Sequence, residues 1–150
     1  KFTNYNLFVM NLLLYYLFIM IETKLKKFGI KITKQRMEIA SILFDGEFKH
    51  FSADDLYNLT EKKNLQISLA TIYNTLKEFS NLGLIKEIII DPNRIWYDTC
   101  VKNHYHFYNS ATNKLIDIPE AQIKVSKLPS IPKGHKIEQM NVVIHLQRKD

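Results

Sequence analysis

Apolar residues recur at helical spacing from residue 22 to residue 81, and this stretch predicts four helices. Capping residues and glycines mark where most of them begin or end. Thr33, Ser52 and Ser68 are predicted N-caps, and Gly29 and Gly83 follow the last turns of the first and fourth helices. The predicted helices run from Glu22 to Phe28, Lys34 to Phe44, Ser52 to Lys63 and Leu69 to Asn81.

Beyond residue 83 the apolar positions fall in short runs rich in β-branched and aromatic residues, which predict strands. The predicted strands are Leu84 to Ile90, Ile95 to Thr99, His104 to Tyr108, Lys114 to Ile118 and Gln139 to Gln147, with one helix from Glu120 to Lys127. Helices followed by a hairpin are the order of a winged helix-turn-helix. The sequence therefore predicts an α+β protein, with a winged-helix domain over residues 20–100 and a small α/β dimerisation domain over residues 101–150.

The stretch before these elements is almost wholly apolar from Leu7 to Ile21, broken only by Asn11. It falls short of the ~20 apolar residues that span a bilayer. Met20 stands immediately before a polar, basic segment. We expect residues 1–19 not to belong to the functional protein, in which case no membrane contact is expected. The alternative is a membrane-tethered binding module anchored by this stretch.

The charge of the chain is uneven as well as positive. The net charge is +6, and six basic residues fall between Lys24 and Arg36 without an acid among them. A basic cluster of this kind favours a polyanionic partner. Cys100 is the only cysteine, which excludes an intrachain disulfide and a four-cysteine zinc site and agrees with a cytoplasmic location.

The fourth helix carries residues suited to reading DNA. Small and hydrogen-bonding side chains at the start of a recognition helix meet base edges in the major groove. Basic residues at a helix start and at a hairpin tip suit phosphate or minor-groove contact. Packing of Tyr73 against a neighbouring helix is the alternative for that residue. The predicted DNA-binding residues are Lys34, Arg36, Ser68, Thr71, Tyr73, Asn74 and Arg94.

Two histidines, His104 and His106, are separated by one residue on a predicted strand. Side chains alternate along a strand, so both imidazoles leave the same face roughly 6.6 Å apart at the backbone. The carboxylates of Asp98 and Asp117 are near in sequence, and nitrogen and oxygen donors together suit a metal ion. Packing on a half-buried strand is the simpler interpretation. A mononuclear Fe(II) enzyme with two histidines and a carboxylate is a third.

Several motifs in order resemble the ferric uptake regulator (Fur) family. They are Ser68 to Leu76 followed by Phe79 and Gly83-Leu84-Ile85, Thr33 to Arg36, and His50 to Tyr57. The resemblance covers about residues 22–149. It implies a metal-responsive transcriptional regulator, not an enzyme, that binds a double-stranded DNA operator as a homodimer and acts on no small-molecule substrate.

The resemblance also implies a regulatory metal site for Mn(II), Fe(II) or Zn(II). Its ligand positions fall on His50, Asp98, His104, His106 and Asp117. Since His50 lies in the DNA-binding half, the resemblance implies that metal binding fixes the angle between the two halves and so switches DNA affinity.

Departures from the family pattern indicate a subgroup. Asn109 and Thr112 stand where the first Cys-x-x-Cys pair of a structural zinc site would fall, so zinc is not expected to hold this fold together. The sequence is most similar to the iron response regulator branch. That likeness implies a repressor of iron and haem genes, haem at His104 and His106, and a haem-delivering protein as a partner. However, Asn103 replaces a third histidine, and no proline follows Cys100.

Overall fold

The computed structural model describes residues 2–47, 49–91, 94–138 and 140–147, with side chains from Phe8 onward except at Asp91 and Arg94. The chain divides into two compact units, residues 1–89 with 93–101 and residues 90–92 with 102–150. Helices build most of the first unit, and the regular structure of the second is almost entirely strand. The predicted α+β class is confirmed.

In the described part of the first unit there are four helices and a small sheet, in which the third strand along the chain lies between the first and the second. Its elements are α1 (Phe2–Lys27), α2 (Lys34–Leu43), β1 (His50–Phe51), α3 (Ala53–Lys62), α4 (Leu69–Asn81), β2 (Lys86–Asp91) and β3 (Arg94–Asp98). The predicted α2, α3 and α4 are confirmed to within a residue or so at each end. Strand β1 was not predicted, because two residues carry no periodicity for a pattern to reveal.

Side-chain caps explain where these helices begin. Thr33 Oγ1 accepts a hydrogen bond from the amide of Arg36 (3.3 Å), and Ser68 Oγ accepts one from the amide of Thr71 (3.2 Å). Ser52 and Asp55 form a reciprocal capping box at the start of α3. Each cap satisfies amide groups that the first helical turn leaves without partners.

The core of the first unit lies where the apolar stripes of its helices meet. Leu43 of α2, Leu56 of α3 and Leu76 and Phe79 of α4 are almost completely buried. Burying side chains of this size stabilises a fold by about 1.5–3 kcal/mol each. This packing fixes α4 and determines which of its faces remains exposed.

Helix α1 begins at Phe2, twenty residues before the predicted start at Glu22. Neither glycine nor proline occurs before Gly29, so nothing in the sequence ends the helix earlier. Ile21 and Leu25 are buried, whereas large apolar side chains between Phe8 and Met20 are exposed. By length and composition alone, Phe8–Lys27 could cross a membrane, a test that signal sequences and buried core helices also pass.

A chain shortened to begin at Met20 is expected to unfold with a free energy within ~1 kcal/mol of the full chain, the value of partly burying one leucine. Among the described side chains that this truncation removes, only Leu17 packs against the core cluster. Urea denaturation followed by circular dichroism measures the difference. A loss of more than ~3 kcal/mol, the value of burying a whole large side chain, would show that residues 1–19 are an integral part of the fold.

The second unit contains a sheet with strand order β5-β4-β6. Strand β4 (His104–Asn109) pairs antiparallel with β5 (Lys114–Pro119) and parallel with β6 (Val143–Leu146). The predicted last strand from Gln139 therefore begins later, and Gln139 itself lies outside the described residues.

The predicted helix from Glu120 to Lys127 is wrong. Only a 3₁₀ turn, Glu120–Gln122, forms there, and Ile123 is extended. Pro119 precedes this turn without a side-chain cap, and Val125 is exposed. A helix this short needs a buried face to be stable, and the exposed apolar side chain provides none.

Candidate metal centre and nucleic-acid interface

Three predicted metal ligands, His104, His106 and Asp117, come together on one face of the β4–β5 sheet. His106 lies directly opposite Asp117 in the antiparallel register, and His104 is two residues along the same strand. Asp117 Oδ1 is 3.5 Å from His104 Nε2 and 3.6 Å from His106 Nε2. The two imidazole rings meet edge to face, with centroids 4.5 Å apart. The alternating side-chain geometry predicted from the sequence is confirmed.

These separations fit a metal ion better than direct hydrogen bonds between the same atoms, which prefer 2.7–3.2 Å. A tetrahedral ion with bonds of about 2.1 Å keeps its ligands about 3.4 Å apart. The His–Asp distances of 3.5 and 3.6 Å lie close to that value. Two imidazole nitrogens and a carboxylate oxygen are also donors that Mn(II), Fe(II) and Zn(II) accept. The three residues therefore fit the implied metal.

Neighbouring groups orient the first of these ligands. His104 Nδ1 lies 2.9 Å from the carbonyl oxygen of Lys102. A carbonyl only accepts hydrogen bonds, so Nδ1 donates its proton and a neutral ring keeps its lone pair on Nε2, the atom that faces Asp117. The side chain of Asp117 is 45% exposed, which leaves a path for an ion to reach the histidines.

The other two predicted ligands, His50 and Asp98, pair within the first unit. They are register partners in the β1–β3 ladder, and His50 Nε2 lies 3.6 Å from Asp98 Oδ2. Asp98 is fully buried, and its Oδ1 accepts a hydrogen bond of 2.7 Å from the amide of Cys100. Sequence reasoning placed Asp98 at the end of the hairpin but missed β1, the strand that sets His50 opposite it.

The turn between β4 and β5 occupies the place of the missing Cys-x-x-Cys pair. Asn109 Oδ1 accepts hydrogen bonds from the amides of Ala111 (3.0 Å) and Thr112 (3.2 Å). Tyr108 donates its hydroxyl proton to Asn113 Oδ1 (2.8 Å), and Asn113 adopts a left-handed backbone with φ of 53°. Side-chain amides thus close this turn, which asparagine does readily.

Replacing Asn109 by alanine is expected to lower the free energy of unfolding by about 1–2 kcal/mol, because two amides lose a local acceptor. Urea denaturation of metal-free protein measures this loss in the free energy of unfolding. Ser110→Ala in the same turn is the control. If a chelator unfolds the wild-type sheet and zinc restores it, a metal rather than this turn stabilises the hairpin.

The exposed face of α4 carries two of the predicted DNA-reading side chains. Tyr73 is 44% exposed and Asn74 is exposed, whereas Ile72 and Leu76 are buried. The alternative for Tyr73 was packing against a neighbouring helix, and it accounts for at most the covered part of this side chain. Ser68 and Thr71 serve the helix cap, and their hydroxyl oxygens lie 2.9 Å apart. Of the four residues predicted to read DNA from this helix and its cap, Tyr73 and Asn74 are therefore the two exposed side chains that the cap does not engage.

The basic residues predicted to contact phosphates differ in exposure and in their partners within the fold. Lys34 is exposed at the start of α2, with Nζ 3.9 Å from Glu38. Arg36 is largely covered, and its guanidinium forms contacts within the fold. The side chain of Arg94, which is predicted to contact DNA, lies outside the described part of the chain. An open cleft borders this surface, lined by Lys31, Thr33, Gln35, Arg36, Thr71, Asn74 and Thr75.

One buried tyrosine of the first unit has a strongly shifted pKa. Burial raises the pKa of Tyr97 to about 12, with smaller contributions from Glu87 and Tyr73. Tyr97 stacks on Phe51, with ring centroids 5.8 Å apart. Its hydroxyl therefore stays protonated throughout the physiological range.

A model of the ferric uptake regulator family matches residues 27–145 of this chain. A peroxide-responsive repressor from Staphylococcus epidermidis is 34% identical over 99 residues, 66% of this chain and 65% of that protein. The chain thus spans just under two thirds of that relative. A peroxide operon regulator from Bacillus subtilis is 31% identical over 81% of this chain and 83% of its own. A structure of the ferric uptake regulator from Pseudomonas aeruginosa with manganese superposes with a TM-score of 0.67 and 25% identity, covering 86% of this chain and 98% of that one.

Proposed function

Since the chain belongs to the ferric uptake regulator family, we propose that it is a metal-responsive, DNA-binding transcriptional repressor that acts in the cytoplasm as a homodimer. The observation that carries the proposal is the cluster of His104, His106 and Asp117, whose donor atoms lie within 4.8 Å of one another. A regulator also gives a role to the helix-turn-helix of the first unit, which a metalloenzyme leaves without one.

In this proposal His104, His106 and Asp117 hold a divalent ion, with Mn(II), Fe(II) and Zn(II) as candidates. Such an ion would supply a fixed double positive charge, for which two imidazole nitrogens and a carboxylate oxygen are suitable ligands. That His50 and Asp98 contribute to the same regulatory ion remains a prediction from the family resemblance. Occupancy regulates transcription if the DNA-binding state of the protein binds metal more tightly than the other state does.

We propose that the genes it controls serve iron and haem homeostasis, because the sequence resembles the iron response regulator branch. Haem at His104 and His106, delivered by a partner protein, is the finer form of this proposal. The relatives from Staphylococcus epidermidis and Bacillus subtilis are instead named for a response to peroxide. A peroxide-dependent release of DNA is therefore the second candidate for the signal.

Footprinting on genomic DNA with metal-free, Mn(II)-loaded and haem-loaded protein tests the function and separates the effectors. Protection of specific sites that depends on Mn(II) supports the metal-responsive repressor. Protection that changes only with haem moves the effector to haem, and loss of protection on adding peroxide to the Fe(II) form identifies the second candidate. No specific protection in any state, together with oxygen uptake by the Fe(II) form, would favour the enzyme.

A further inference from the structure

The guanidinium of Arg36 bridges two elements of the DNA-binding unit. Arg36 belongs to the first turn of α2, and its Nη1 donates a hydrogen bond of 2.9 Å to the carbonyl of Lys31, in the segment that precedes the helix. Its Nη2 pairs with the carboxylate of Glu78 on α4, 42 residues away in sequence. The side chains of Arg36 and Glu78 are 23% and 31% exposed, so both are largely shielded from solvent.

Glu78 lies on the same face of α4 as a predicted DNA-binding residue. It lies one helical turn after Asn74, so the two residues share a face of the helix. Arg36 and Asn74 also line the same cleft. A carboxylate on this face would repel DNA phosphates, and Arg36 is the cation that neutralises it.

We propose that Arg36 is a positioning residue for the recognition helix: it fixes the face of α4 that carries Asn74 and cancels the charge of Glu78, instead of binding a DNA phosphate. This rests on the proposed function as a DNA-binding regulator. It replaces the role predicted for Arg36 from the sequence, because a guanidinium already bound at two of its nitrogens is poorly placed to grip a phosphate as well.

A double-mutant cycle separates the two roles. Wild type, Arg36→Gln, Glu78→Gln and the double variant are compared for affinity to the footprinted site and to unrelated DNA over a range of salt concentrations. Arg36→Gln is expected to weaken operator binding roughly 10-fold or more, in line with the coupling of directly contacting charged residues. The double variant is expected to return to within about threefold of wild type, because removing both members leaves no uncompensated carboxylate.

A phosphate contact gives the opposite pattern. The double variant would then stay as weak as Arg36→Gln, and both would lose about one unit of the salt slope. That result would overturn the proposal. Lys34→Gln is the matched control in the same helix turn. Loss of this exposed lysine is expected to lower the salt slope, and its effect should simply add to that of Glu78→Gln, because Lys34 lies near Glu38 and not Glu78.

Glu78→Gln alone keeps the test decisive if Arg36→Gln fails to fold. Freeing Arg36 and removing a negative charge should raise affinity for unrelated DNA while the ratio of operator to unrelated affinity falls at least threefold. An unchanged ratio would overturn the proposal, because a pair with a purely structural role would leave the ratio of operator to unrelated affinity as it is in the wild type. If the wild-type protein binds no specific DNA, the proposed function itself is wrong. That result differs from a double variant that fails to recover affinity, which overturns only the role proposed for Arg36.

Discussion

Replacing both His104 and His106 by alanine is expected to abolish the response of operator binding to metal. The two imidazoles and the Asp117 carboxylate are the three donors of the cluster in the second unit, so the double variant loses two of the three. Metal affinity should fall by at least ~100-fold, since even changes to the groups that orient ligands cost about 10–100-fold. Titration of Mn(II) into the purified protein by calorimetry measures the affinity, and fluorescence anisotropy of a labelled operator measures the response.

His135→Ala is the control, because His135 is an exposed histidine of the same unit. It belongs neither to the cluster of His104, His106 and Asp117 nor to the pair of His50 and Asp98. It should bind metal and respond as the wild type does. An unaltered metal response in the double variant would remove the proposed centre, and the pair would then be strand residues that pack without a ligand.

Replacing Tyr73 by alanine is expected to reduce operator affinity roughly 10- to 100-fold, toward the level of unrelated DNA, since a base contact carries about 1–3 kcal/mol of discrimination. The exposed ring projects from α4 beside Asn74, so its loss should remove contacts with bases and leave the core intact. Electrophoretic mobility shifts with operator and unrelated DNA measure the loss, and circular dichroism verifies the fold.

Leu128→Ala provides a control, since Leu128 is a similarly exposed large side chain of the second unit. Tyr73→Phe separates the ring from the hydroxyl: retained affinity identifies an apolar contact with a base, and lost affinity identifies a hydrogen bond. Full operator selectivity in Tyr73→Ala would show that the recognition surface lies elsewhere.

Local chemistry made much of the first unit predictable. Helix α4 runs between the predicted residues because Ser68 caps its start and Gly83, with φ of 74°, follows its end. The alternation of side chains along β4 likewise predicts that His104 and His106 share one face. These features depend on residues close together in sequence, which is why a pattern reveals them.

Features set by distant contacts were missed. The pairing of Arg36 with Glu78 joins residues 42 positions apart, so no local pattern could indicate it. The helix expected after Pro119 fails because Val125 stays exposed, so the segment has no buried face to stabilise it. Such outcomes depend on packing across the fold, which neither composition nor periodicity encodes.

The most direct test of the central claim is the reciprocity of metal and operator binding. Operator affinity is measured against free Mn(II) concentration, and Mn(II) affinity is measured with and without operator DNA. The account predicts that metal tightens operator binding by some factor and that operator tightens metal binding by the same factor, as linkage requires. Equal operator affinity at every metal concentration would contradict it.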